Sequence, residues 1–255
     1  MSYKKSKYFL TTNKRKIRYL FLNKKSQITV VFFHGFMSDM IGKKPKTIQK
    51  FCVKKKIGFL KFEYSGHGTS SEKFTNGNIS KWTNDAKQLI KAKVRSEKKL
   101  IFIGSSMGSW IILNLFKIFH SQLKGFIGIG SAPEFTEKVM WKKFNKKIKK
   151  MILRNKIYNL ENDYKIPFPI TKNLIMDGRK NKVLNKKIHT KIHVSLFHGL
   201  KDKSVPVKFS QEIFRLFLTK NKKIFKIKDG KHSLSRKKDL KIICSELERI
   251  LKLIA

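Results

Sequence analysis

Residues Gly104-Ser105-Ser106-Met107-Gly108 set two serines between two glycines, directly after the apolar run "LIFI" and directly before "SWIILNLFKIF". The pattern is G-x-S-x-G. At a junction between strand and helix it describes a nucleophile elbow, in which the glycines permit a strained turn and the middle serine is pushed outward with its hydroxyl exposed. Ser106 is then the candidate nucleophile and Ser105 its neighbour in the turn. A plain strand-to-helix turn could use the same letters, so the pentapeptide has to be judged by what else the chain supplies.

A serine nucleophile needs a base, an acid to orient that base, and donors for an oxyanion. Of the seven histidines, His232 in "KIKDGKHSLS" follows the last strand-like run and precedes the final helix-like run. Asp202, in "LFHGLKDKSVP", follows the preceding strand-like run in the same manner, and Glu134 is a reserve acid after "GFIGIGS". The expected oxyanion donors are two backbone N–H groups, that of Met107 after the nucleophile and that of Phe36 in the loop "HGFMSDM", where Gly35 lets the chain turn. His34 reads as a loop-shaping residue and His67 as closing the turn "SGHGTS". His189 and His193 stand four apart beside strand-like text without a third ligand, so no metal site is expected. Acyl transfer by these groups calls for no cofactor.

Those side chains can meet only if regular elements carry them. "KYFLTT" and "KIRYLFLN" read as a β-hairpin, followed by the buried strand "ITVVFFHG", a helix over about 46–56, and the strand "IGFLKFEY". A helix with Trp82, Ala86, Leu89, Ile90 and Val94 on one face precedes the strand that ends at the elbow. The helix "SWIILNLFKIF" and the strand "GFIGIGS" follow. After a break come strand "HVSLFHG", helix "SQEIFRLFL", strand "KIFKI" and a last helix from about Ser235 to Ile254. Sustained alternation predicts an α/β fold, a mostly parallel twisted sheet with helices on both faces. The break, about 134–183, is lysine-rich, helical in period and interrupted by "IPFPI". It reads as a cap inserted after the sixth strand of one domain spanning 1–255.

Lys and Arg total 60 against 16 Asp and Glu, for a net charge of +44. The lysines run along the whole length, with abundant Ile, Asn and Phe and scarce Ala, the composition of an AT-rich genome. No nucleic-acid-binding motif accompanies them, so a specific nucleic-acid partner is not expected, and the charge implies at most weak attraction to anionic surfaces. Hydrophobic content of 40% excludes a disordered chain. Cys52 and Cys244 lack metal or redox spacing and read as reduced thiols. "MSYKKSKYFLTT" has no apolar core of a secretion signal, and no run reaches transmembrane length, which together suggest a cytoplasmic protein.

The set "HGFMSDM", "FEYSGHGTSS", "ISKWTNDA", "GSSMGSW", "IPFPITKNLIMDGRK" and "LFHGLKDKSVP" resembles the α/β-hydrolase superfamily, and within it the bacterial relatives of the mitochondrial palmitoyl-protein thioesterase that also hydrolyses acyl glucuronides. The likeness runs from about Phe33 to His232. It implies a triad of Ser106, Asp202 and His232, oxyanion amides at Phe36 and Met107, and hydrolysis of small acyl esters or thioesters through an acyl-enzyme. Ser109 departs from the pattern, because such elbows often carry a second glycine there. Val139, Met140, Trp141, Phe144, Ile148, Met151, Ile152 and Leu153 recur at helical spacing and predict one apolar helix face, with Met140, Trp141 and Phe144 as candidate walls of an acyl pocket. Two other readings stand beside this one: a serine aminopeptidase of the proline-iminopeptidase type, and a polycationic binding protein on a hydrolase fold without turnover.

Overall fold

Val30, Phe32, Ile101 and Ile103 face one way from their strands, while Val31, Phe33, Leu100 and Phe102 face the other. Strands apolar on both faces need cover on both. The computed structural model, which describes residues 5–162 and 166–254, shows how they obtain it. The first four residues of "MSYKKSKYFLTT" therefore lie outside the described residues, as do 163–165 within the insertion.

The strands are β1 (Lys7–Leu10), β2 (Lys16–Leu22), β3 (Ile28–Phe33), β4 (Gly58–Phe62), β5 (Lys99–Ser105), β6 (Leu123–Ile129), β7 (Tyr158–Leu160), β8 (Phe168–Ile170), β9 (Ile188–His189), β10 (His193–Gly199), β11 (Phe217–Leu218) and β12 (Lys222–Ile227). The helices are α1 (Lys43–Lys54), α2 (Ile79–Lys93), α3 (Met107–Leu115), α4 (Lys146–Leu153), α5 (Lys172–Lys180), α6 (Lys208–Leu216) and α7 (Lys237–Ile254). Eight strands form one sheet in the order β1-β2-β4-β3-β5-β6-β10-β12. The pairs β1–β2 and β2–β4 are antiparallel, and the rest are parallel.

Helices α1 and α7 cover one face, through Ile48, Cys52, Ile243, Leu247 and Ile250. The other face takes α2, α3, α5 and α6, where Trp82, Leu89, Trp110, Ile112, Leu174, Phe209 and Ile213 are buried. Residues Trp82, Ala86, Leu89, Ile90 and Val94 are all buried there, as the periodicity predicts. The register pairs Phe33 with Gly104 and Ser105 with Ile129, so β3, β5 and β6 end side by side and their loops emerge together. In a parallel sheet that edge is where ligands bind.

Three local expectations are corrected. The helix read over "SQEIFRLFL" stops at Leu216, and Phe217–Leu218 turns extended to pair in parallel with Ile188–His189. The apolar series of the insertion does not lie on one helix. Thr136–Trp141 forms a π-helical turn, after which the extended backbone at Asn145 restarts the chain as α4, with the Asn145 side chain accepting from the Ile148 N–H at 2.9 Å. "IPFPI" is more than an interruption, because Phe168–Ile170 pairs antiparallel with Tyr158–Leu160. Pro169 is tolerated in a two-stranded ribbon, where one edge needs no donor.

Candidate active site

Ser106 sits between β5 and α3 at φ 52° and ψ −116°, a conformation that strains any residue bearing a Cβ. The strain is held by backbone bonds. The Ser106 N–H donates to the Ile129 carbonyl at 2.9 Å, and its own carbonyl accepts from Ser109 at 3.0 Å and Ala132 at 3.3 Å. Both flanking glycines are obligatory: a Cβ on Gly104 would lie 2.6 Å from the Ser109 nitrogen, and one on Gly108 would lie 2.3 Å from the Phe33 carbonyl oxygen. Serine at the N-cap of a helix usually spends its hydroxyl on the first turn. Here it makes no capping bond.

The hydroxyl instead faces His232, whose Nε2 lies 3.1 Å from Ser106 Oγ. On the far side of the ring, Nδ1 lies 2.7 Å from Asp202 Oδ2. A carboxylate only accepts, so Nδ1 carries the proton and Nε2 presents its lone pair to the serine. Asp202 Oδ1 accepts the N–H groups of Ser204 and Val205, both at 2.9 Å. Burial of this carboxyl works to raise its pKa, but the His232 hydrogen bond and charge, the Val205 N–H and His198 outweigh burial and hold it below the ordinary carboxylate value. Gly130, at the end of β6, lets the histidine close in, since a Cβ there would lie 2.9 Å from the His232 carbonyl oxygen.

His198 is a residue that sequence reasoning passed over. It is buried at the end of β10, donating from Nε2 to the Val205 carbonyl at 2.9 Å and accepting at Nδ1 from Ser210 Oγ at 2.8 Å. It thereby anchors the loop that presents Asp202. Its sequence signal is a histidine directly after the apolar pair Leu196-Phe197, in "LFHG". Burial lowers its pKa, so the neutral tautomer these bonds need is the favoured one.

Phe36 lies in the loop that follows β3, and Met107 follows the serine in the chain. A Cβ on Gly35 would come within 3.4 Å of both Ser106 Cβ and the Ser105 carbonyl oxygen, so this loop runs directly against Ser106. Among the described residues neither the Phe36 N–H nor the Met107 N–H donates to any group of the chain. Met107 opens α3, where the first N–H groups of a helix lack partners and carry its positive end. His34 is fully enclosed; its Nδ1 donates to the Gly35 carbonyl at 2.8 Å, and its Nε2 accepts from the Tyr64 N–H at 3.4 Å. Burial brings its pKa down to about 4. His67 is buried beside it, 4.9 Å between ring centroids, within the turn assigned to it.

The Phe36 ring is surrounded edge-to-face by Phe74, Trp82, Phe135 and Phe168, with centroids 5.0 to 6.1 Å away. Of the insertion residues singled out from sequence, Met140 and Phe144 are buried in the main core, while Trp141 is half-buried under the Arg179 guanidinium, 4.8 Å from its ring. Glu134 is engaged elsewhere, its Oε1 accepting the N–H groups of Val183 and Leu184 at 2.8 Å each. Ser109 fits the elbow by bonding within it: its Oγ donates to the Gly104 carbonyl at 3.0 Å and accepts from Ser131 Oγ at 2.8 Å.

Comparison with known proteins bears on the family and the fold. The profile of the family described as serine aminopeptidase, S33, matches residues 24–173. The mitochondrial palmitoyl-protein thioesterase ABHD10 of mouse is 24% identical over 233 residues, covering 87% of this chain and 74% of the mouse protein. The solved structure of the mouse protein superposes with a TM-score of 0.87 at 21% identity, over 98% of this chain and 100% of that one. A candidate hydrolase from Agrobacterium vitis S4 superposes with a TM-score of 0.90 at 26% identity, over 96% and 98% of the two chains. The chain belongs to the serine aminopeptidase S33 family and is a serine hydrolase of the α/β-hydrolase fold.

Proposed function

We propose that this hydrolase cleaves carboxylic esters or thioesters of medium to long acyl groups, with Ser106 as nucleophile, His232 as general base and then acid, and Asp202 as the group that orients the imidazole. The observation that carries the reading is the unbroken hydrogen-bond chain from Ser106 through His232 to Asp202 at the tip of a strained turn, with two unspent N–H groups beside it. His232 takes the Ser106 proton as the oxygen attacks the acyl carbonyl. The Phe36 and Met107 N–H groups receive the developing oxyanion, and Asp202 stabilises the imidazolium. Protonation of the leaving oxygen or sulfur by His232 leaves an acyl-serine, which water attacks by the same route. None of these steps calls on a cofactor.

The substrate class rests on the apolar ground around Phe36. Rings at Phe74, Phe135 and Phe168 offer an apolar wall for an acyl chain, and Met140, Trp141 and Phe144 of the insertion extend it in this reading, in which 134–183 acts as a cap. The thioesterase name of the mouse relative supports acyl substrates. The family description favours a second reading, cleavage of an N-terminal amino acid. Such a substrate brings a free ammonium group that needs a carboxylate, and three of the insertion's carboxylates are already engaged: Glu134 with the Val183 and Leu184 N–H groups, Glu137 with Arg179, and Asp177 with Ser80 and Asn181. The two free thiols fit a reducing compartment, which favours the cytoplasm as the place of action.

A fluorophosphonate probe will label the wild-type chain, and Ser106→Ala will abolish both labelling and ester turnover. Unchanged labelling of that variant refutes the assignment. In a series of p-nitrophenyl esters and acyl thioesters, kcat/KM rises from acetyl to octanoyl, by up to about fourfold per methylene if each is fully buried. A flat or falling series refutes the acyl pocket, and faster turnover of aminoacyl amides hands the site to the peptidase reading.

A further inference from the structure

The segment 142–156 carries more cations than any other fifteen consecutive residues of the chain. Lys142, Lys143, Lys146, Lys147, Lys149, Lys150, Arg154 and Lys156 fall within fifteen residues that contain no carboxylate, so more than half of this stretch is positively charged. Over the whole chain Lys and Arg make up 60 of 255 residues. Segment 43–56 is nearly as dense, with seven lysines in fourteen residues, but there Lys55 is paired with Glu248 and Lys44 donates to the Ser233 carbonyl. Among the described residues, none of the eight cations has an ion-pair partner, whereas Lys138 and Arg179 nearby are paired with Glu212 and Glu137.

Helix α4 gives the cluster a direction. Ile148 and Ile152, four apart, face the core, and Ile152 is fully buried. The opposite face, at 100° per residue, carries Lys146, Lys150 and Leu153, flanked by Lys147, Lys149 and Arg154. Leu153 is 40% exposed amid these cations, and Ile157, just past the end of the helix, is 49% exposed. An outward face of unpaired lysines around protruding aliphatic side chains is poorly suited to plain solvation. It suits a plane of negative charge with a hydrocarbon layer beneath it, where ammonium groups meet phosphates and the leucine and isoleucine enter the acyl boundary.

We propose that the outer face of α4 and the segment up to Ile157 form a docking surface for anionic phospholipid membranes. The surface belongs to the segment that follows β6, whose start is tied to the elbow by the Ala132 N–H on the Ser106 carbonyl. The proposal stands apart from the reading of the triad, because membrane attachment needs no turnover.

The test is co-sedimentation of the full chain with vesicles of phosphatidylcholine alone and of phosphatidylcholine mixed with phosphatidylglycerol. Wild type binds only the mixed vesicles, less tightly as salt rises, and Ser106→Ala binds equally well. Each cation near an anionic surface contributes roughly fivefold to partitioning, so changing Lys146, Lys147, Lys150 and Arg154 together to Gln lowers it by on the order of several hundredfold. The same number of changes at Lys54, Lys237, Lys241 and Lys252, exposed cations of α1 and α7, lowers it far less. Hydrolysis of a dissolved p-nitrophenyl ester is unchanged in both variants, which shows that both fold. Equal losses in the two variants would reduce the effect to net charge and overturn the proposal. So would absence of vesicle binding by wild type, or α4-dependent binding to RNA without binding to vesicles. Vesicle binding by a chain that hydrolyses no ester would defeat the catalytic reading and leave this one standing.

Discussion

At the scale of single residues, the site depends on imidazoles held in defined protonation states. His34 must stay neutral to donate from Nδ1 to the Gly35 carbonyl while accepting at Nε2 from Tyr64, and burial lowers its pKa from 6.5 to about 4. In the unfolded chain it protonates near 6.5, so between these values the unfolded state binds the extra proton. Stability from this residue is therefore complete above about pH 6.5 and lost as the pH falls toward 4, by on the order of 3 kcal/mol. Urea unfolding at pH 7 and near pH 4.5 will show the difference, and His34→Asn, which cannot titrate, will show less of it. Asp202 makes a separate test: Asp202→Asn lowers kcat by several orders of magnitude at unchanged fold, because His232 loses the acceptor that sets its tautomer. Glu134→Gln leaves turnover near normal, since Glu134 serves the Val183 and Leu184 N–H groups; the reverse pattern would transfer the acid's role.

At the scale of elements, the elbow works because α3 can lie almost in contact with β3 and β5. Gly108 is the point of closest approach, and Gly108→Ala would drive a methyl into the Phe33 carbonyl. That substitution forces α3 away from the sheet and moves the Met107 N–H with it. The expected result is loss of turnover together with a fall in Tm, read by activity assay and thermal unfolding. Ser109 acts on the same junction from within. Ser109→Ala removes a buried donor to the Gly104 carbonyl and the acceptor of Ser131 Oγ, which should cost roughly 1–3 kcal/mol in denaturant unfolding while kcat falls little. A large kcat loss with unchanged stability would mean that Ser109 touches the reaction itself.

At the scale of the whole molecule, a charge of +44 sets long-range fields but not the chemistry at Ser106. Hydrolysis of a small neutral ester should therefore change little between low and moderate salt, whereas any nonspecific association with nucleic acid should fall steeply over the same range, because it is driven by counterion release. Sequence-selective nucleic-acid binding that survives moderate salt would contradict this. Among the described residues no helix is long and apolar enough to cross a membrane. The proposed docking to lipid rests on a surface feature, the unpaired cations of α4.

The sequence by itself determined the alternation of strand and helix and the place of the turn between β5 and α3, and it offered Ser106, Asp202 and His232, with Glu134 in reserve, as candidates to meet there. The reasons are local: period-2 and period-3.6 patterns follow from backbone geometry, and glycines at 104 and 108 mark a junction of strand and helix too close for a side chain. Chain order in a parallel sheet then sends Asp202 and His232 out at the same edge as Ser106. Only the tertiary structure decided what depends on contacts between distant segments. It placed His198 under the Asp202 loop and tied Glu134 to Val183 and Leu184. It ringed Phe36 with Phe74, Phe135 and Phe168 from three separate stretches, and it turned Phe217–Leu218 from the end of a helix into a strand beside Ile188–His189. No periodicity encodes such partners, because each bond is chosen by whichever unsatisfied polar group or apolar surface the folded chain brings within reach.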